Sequence, residues 1–91
     1  MAKLLTVLGK TDFESAEITV PTNGGVQVFV NGDVGQTGRV QLLLKGADGV
    51  FYGYPSLSFF APAAVEITLQ AGDIFKAAFT KCTSANIEVR Q

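Results

Sequence analysis

Asp12 and Glu14 lie two residues apart, and Asp33, Asp48 and Asp73 each adjoin a glycine. Paired carboxylates can do general acid–base work, and loop carboxylates can hold calcium. Cys82 is the sole thiol, while Ser56, Ser58 and Ser84 are hydroxyls of nucleophilic potential. Each needs a helper, and the helpers are missing. The 91 residues contain no histidine, the commonest general base and transition-metal ligand. No motif sets another base beside the serines, and Cys82 has nothing to activate it, so it reads as a buried strand thiol. Asp12 and Glu14 fall in an expected loop before "SAEITV", with no sign that they converge on a cleft. Asp33, Asp48 and Asp73 belong to no D-x-D-x-D-G run, so they read as turn residues that cap their own backbone. "GDVGQTG" lacks the lysine and Ser/Thr of a phosphate loop, and no helical pattern follows it. The expectation is a protein with no catalytic residue, no cofactor and no metal.

The surroundings agree with that. Apolar residues make up 47% of the chain, charged residues only 16%, and mean hydropathy is +0.30. Globular domains usually carry roughly 25% charge, so part of this surface is expected to be covered by another copy or by a partner. Net charge is −1 with no basic run, which argues against nucleic-acid binding. "MAKLLTVLGK" is too short in its apolar stretch for a signal peptide, and no segment reaches the ~20 apolar residues of a membrane span. Synthesis in a reducing cytoplasm and no membrane association are the expectations. A single cysteine agrees with the first.

Strand alternation dominates the chain. "SAEITV" sets Ala16, Ile18 and Val20 on one face; "RVQLLLK" sets Val40, Leu42 and Leu44; "VEITLQ" sets Val65, Ile67 and Leu69; "ANIEVR" sets Ala85, Ile87 and Val89. "KLLTVLG", "GVQVFVN", "VFYGYPSLSFF" and "DIFKAAFTKC" also read as strands. Pro55 is expected to split its segment or mark an edge, and Phe75, Ala77 and Phe79 alternate in theirs. Turn signals lie between these runs, and both "LKGADGVFY" and "ITLQAGDIF" read as hairpins. The whole predicts one domain over residues 1–91. Its class is all-β: a single antiparallel β-sandwich of about eight strands, jelly-roll or immunoglobulin-like.

Two segments are candidates for contact. Phe51, Tyr52, Tyr54, Phe59 and Phe60 are too many aromatics for one small core, and buried aromatics commonly anchor interfaces. "AKLLTVLG", with Leu4, Leu5 and Val7, is apolar and terminal, a candidate strand for pairing with a neighbour's edge.

Gly24, Gly25, Val26 and Val28 form a "GG-x-V-x-V" strand, followed by the Asp48–Gly49 hairpin. The "L-x-AG" turn of Leu69, Ala71 and Gly72 comes next, then the closing "A-x-I-x-V" strand of Ala85, Ile87 and Val89. Over roughly residues 15–91 this succession resembles the small all-β accessory proteins of tailed-bacteriophage virions. The resemblance implies a non-enzymatic structural protein, a capsid decoration or cement protein on the outer shell. Its implied partner is the major capsid or another virion protein, and its implied state is a homo-oligomer made in the host cytoplasm. The alternative is a carbohydrate- or cell-surface-binding sandwich in which Tyr52 and Tyr54 stack on sugar rings and Asp33 or Asp48 accepts their hydroxyls.

Overall fold

The computed structural model describes residues 2–91, and all of its regular structure is strand. The nine strands are β1 (Lys3–Lys10), β2 (Phe13–Glu14), β3 (Ile18–Thr19), β4 (Gly24–Asp33), β5 (Arg39–Lys45), β6 (Phe51–Phe59), β7 (Ala63–Leu69), β8 (Ile74–Thr80) and β9 (Ser84–Arg90). Two antiparallel sheets face each other. One runs β1-β9-β4-β7, and the other runs β2-β8-β5-β6 with β3 also on β8.

The connectivity can be derived from a single hairpin. Its tip joins β5 to β6, and the ladder continues outward as β4·β7, then β2 and β3 on β8, then β1·β9. Rolling this long hairpin up closes two further ladders, β4·β9 and β5·β8. That is a jelly roll, which decides between the two topologies the sequence left open. The short corners β1–β2, β4–β5, β6–β7 and β8–β9 each pass from one sheet to the other. They therefore place β1 over β2, β9 over β8, β4 over β5 and β7 over β6.

The four interior strands supply the core by alternation. Val26, Val28 and Val30 of β4, Val40 and Leu42 of β5, Phe75, Ala77 and Phe79 of β8, and Ala85, Ile87 and Val89 of β9 are all buried. Each large apolar side chain so enclosed contributes roughly 1.5–3 kcal/mol of transfer free energy. The interior strands are covered on both flanks, whereas edge strands have one flank open. Ala63, Val65 and Ile67 of β7 therefore face inward yet remain half-buried.

Three expectations need correction. "ITLQAGDIF" is not a hairpin. Asp73 N–H closes a turn on the Gln70 carbonyl at 3.0 Å, with Gly72 at φ +94°, but β7 and β8 then join different sheets. A turn motif reverses the chain locally and does not dictate which strands pair. "SAEITV" is not one continuous strand either. Ser15 Oγ accepts the Ala77 N–H at 2.9 Å, standing in for a ladder carbonyl, so Ala16 and Glu17 swing out and Ala16 is exposed. Phe13 and Glu14, on the stretch expected to be a loop, pair with β8 instead. Pro55, by contrast, does mark an edge, the second of its two expected roles, and β6 continues through it. On β6 the four residues Tyr54–Leu57 lie opposite Leu42 alone, and Ser58 Oγ donates back to the Tyr54 carbonyl at 3.0 Å.

Candidate functional site

The acidic groups serve the fold. Asp33 Oδ1 accepts the Gly35 N–H at 3.0 Å, Asp48 Oδ1 the Val50 N–H at 3.0 Å, and Asp73 Oδ2 the Gln70 N–H at 2.9 Å. Each turn aspartate thus caps its own backbone, as its glycine neighbour suggested. Asp12 and Glu14 diverge in role: Asp12 Oδ1 accepts the Lys81 N–H at 3.0 Å, while Glu14 pairs with Lys76. Among the described residues no three His, Cys, Asp or Glu side chains gather as a metal site would require. Cys82 is buried, with its thiol toward the carbonyls of Arg39 at 3.5 Å and Thr80 at 3.7 Å.

The outer face of the β8-β5 sheet is tied down by charge. Phe51 lies between two ammonium groups, Lys76 Nζ at 4.4 Å and Lys45 Nζ at 5.8 Å from its ring centre. Lys45 in turn reaches Glu17 at 3.4 Å, and Lys76 reaches Glu14. Phe51 therefore has a structural occupation, anchoring the lattice that spans from β6 to the β2–β3 edge. On the opposite sheet Arg90 donates to Glu88 at 2.7 Å and sits 5.2 Å above the Phe29 ring. The Arg90 hydrogen bond holds the Glu88 carboxyl below its usual range, with Lys3 adding to it at 3.6 Å.

What remains outward is apolar and concentrated in two places. The first follows β6 from the hairpin tip to the β6–β7 corner: Val50, Tyr52 and Tyr54, both tyrosines 44% exposed, then Phe60 at 67%. The β6 bulge lifts Tyr54 and Pro55 away from the sheet, because three extra residues must bow out between fixed pairs. Tyr52 bends over the hairpin loop, where its hydroxyl donates to Asp48 Oδ2. That bond pushes the Tyr52 phenol up and the Asp48 carboxyl down from their ordinary values. The second is near the β1–β2 corner: Leu8 is 65% exposed, and Phe13 is 38% exposed, its ring edge-on to Phe79 at 6.3 Å with Lys10 Nζ 4.7 Å from it.

Of the eight contact residues expected from sequence, the structure leaves Tyr52, Tyr54 and Phe60 exposed. Val7 and Phe59 are core residues and cannot be contacts of the folded monomer; both face inward at positions where the ladder is regular. Leu4 and Leu5 both pack on the core. β1 carries a bulge there, two β1 steps against one on β9, so consecutive leucines turn to the same side. Leu8, Phe13 and Val50 escaped the sequence reading. Strict alternation from Val7 would have found Leu8; Phe13 and Val50 border turns, where the pattern carries no face information.

Two clefts accompany these surfaces. One, about 440 Å³, lies between the β5–β6 hairpin and the β7–β8 turn, with Lys45 and Asp73 in its wall already engaged by Glu17 and the Gln70 N–H. The other, about 210 Å³, follows β7 and is lined by Gln27, Phe29, Ala64, Val65 and Glu66. The class defined by this fold and surface is a jelly-roll sandwich whose turn aspartates cap their own backbone and whose exposed large apolar groups lie along β6 and near the β1–β2 corner. No protein-family model, curated protein or solved structure matches the chain.

Proposed function

We propose that this chain is a non-enzymatic virion structural protein, a decoration module that docks on the outer surface of a capsid shell. The observation that carries this reading is the line of exposed Val50, Tyr52, Tyr54 and Phe60 along β6, next to a sandwich whose carboxylates, Glu66 apart, are engaged in turns and ion pairs. Aromatic side chains held on a rigid strand lose little conformational entropy on docking, which suits a contact surface. The likeness to small phage accessory proteins supplies the kind of partner, and cytoplasmic synthesis of a homo-oligomer belongs to the same reading.

Binding of sugars is less well supported. Asp48, the carboxylate beside the tyrosines, already accepts on both oxygens, Val50 N–H at Oδ1 and Tyr52 O–H at Oδ2, while Asp33 accepts only Gly35 N–H, at Oδ1. Co-sedimentation of the purified protein with intact shells tests the proposal. Retention of the native chain, and its loss in a Tyr54→Ala/Phe60→Ala variant of unchanged melting temperature, is the expected result. A chain that ignores intact shells while responding on a glycan array overturns it.

A further inference from the structure

Every jelly roll of this kind has four strand edges, and here three are broken. β1 carries register shifts at Leu4 and again near Leu8–Gly9, where Gly9 has φ +66° and gives its N–H to Asn86 Oδ1 at 2.8 Å. The opposite sheet ends on one side in β2 and β3, interrupted at Ser15–Glu17, and on the other in β6 with Pro55 and its bulge. Bulges, prolines and short strands are the devices by which edges avoid pairing with another chain. The terminal strand β1, the pairing candidate from sequence, is thus blunted.

β7 lacks those devices. Its seven residues pair with β4 from Ala63↔Val30 to Leu69↔Gly24 without one register shift, and among the described residues nothing pairs with its other side. Its single charge, Glu66, leans away from the open side. The Glu66 carboxylate lies over Gly25 of β4, so close that a Cβ there would stand 2.5 Å from Oε1. Among the described residues no strand takes up the backbone N–H and C=O groups along the free side. On one flank they are bordered by half-buried Val65 and Ile67, on the other by the groove over Phe29 and Ala64.

We infer that the β7 edge is a self-association site, occupied by β7 of a second copy in antiparallel register. The inference rests on the oligomeric half of the proposed function and not on the shell. A second copy fits because an antiparallel edge is complementary to itself: one two-fold axis satisfies both unpaired rows at once. An axis through Glu66 overlaps all seven residues, setting Ala63 against Leu69, Ala64 against Thr68 and Val65 against Ile67 of the second copy. Opposed residues then share a face, as the pleat demands. The two Glu66 carboxylates are directly opposed in sequence register, but each is drawn back over its own Gly25. The product is a continuous eight-stranded sheet across two molecules.

Sedimentation velocity over a broad concentration range is the test, with the free protein and no shells. The expected result is a reversible dimer that is lost in Ala64→Lys, since an edge lysine opposes pairing with another chain, and that Glu66→Gln strengthens. Tyr54→Lys, on β6, leaves it unchanged. Circular dichroism and melting establish that each variant is folded. As a second readout on the native chain, hydrogen exchange of β7 amides slows as concentration rises. A native protein that stays monomeric, or a dimer that persists in Ala64→Lys but dissociates in Tyr54→Lys or Leu8→Lys, overturns the inference. Shell binding by a monomeric Ala64→Lys variant separates this outcome from failure of the decoration reading.

Discussion

Replacing Gly38 with alanine places a methyl group where main chain already stands. An ideal Cβ at this position lies 1.8 Å from the Val34 carbonyl oxygen and 2.9 Å from Cys82 Cα, whereas real Cβ atoms essentially never come within 3.0 Å of such neighbours. Neither obstacle is a side chain that can rotate away. Relief requires the β4–β5 corner to open by roughly an ångström, a distance on the scale at which core overpacking is felt. Val34 and Cys82 are both buried, so the movement drags them outward. Overpacking costs about 1–3 kcal/mol, and partial loss of the Val34 burial adds about 1–2 kcal/mol. The expected loss is therefore about 2–5 kcal/mol, a large share of the roughly 5–15 kcal/mol typical of a domain. Gly49 provides the comparison. Its φ is +82° but nothing lies within 4 Å of the place a methyl group would take, so Gly49→Ala meets only backbone strain of about 1–2 kcal/mol. Urea midpoints followed by circular dichroism measure both, and melting should fall at least about 8 °C for Gly38→Ala. If Gly38→Ala proves no more harmful than Gly49→Ala, the close approach of the corner is wrong.

Lys81 is the one non-glycine at positive φ among the described residues, at +53°, with its N–H held by Asp12. Lys81→Gly should raise stability by a few tenths to about 1 kcal/mol, read as a later urea midpoint. Phe75→Ala, deep in β8, should cost about 3–5 kcal/mol, whereas Phe60→Ala should stay within about 0.5 kcal/mol of native; thermal melts of the pair check both. The Asp48–Tyr52 bond predicts pH effects of opposite sign at the two ends of the scale. Tyr52 is raised, so its contribution is present below the ordinary tyrosine value of about 10 and is lost as pH climbs through the folded value. Asp48 is lowered, so its contribution is present above the ordinary carboxylate range and is lost as pH falls through the folded value. Asp48→Asn should return Tyr52 toward the ordinary range in a phenolate absorbance titration; an unmoved Tyr52 midpoint would remove the bond from the account.

Legibility followed the physics of each strand. For β5, β8 and β9, alternation alone located the buried residues, because an interior strand has one wholly dry face and the central β5·β8 and β4·β9 ladders run without a register shift. It failed where the ladder is irregular. Consecutive Leu4 and Leu5 both turn inward at a bulge, and Ala16 turns outward because the Ser15 hydroxyl replaces a backbone acceptor. The exposed aromatics were half visible: the aromatic richness of β6 marked the strand that bears exposed Tyr52 and Tyr54, but only burial separates Phe59 in the core from Phe60 outside it.

Composition and period-two patterning were enough to establish an all-β chain, its turns and most of its core, since those depend on each residue's neighbours along the strand. The sheet to which each strand belongs, the jelly-roll winding and the one uninterrupted edge at β7 came only with the tertiary structure. The physical reason is that backbone hydrogen bonds carry no side-chain signature. A strand's pattern shows which face seeks the core, while the identity of the strand beside it is set by how the whole hairpin rolls.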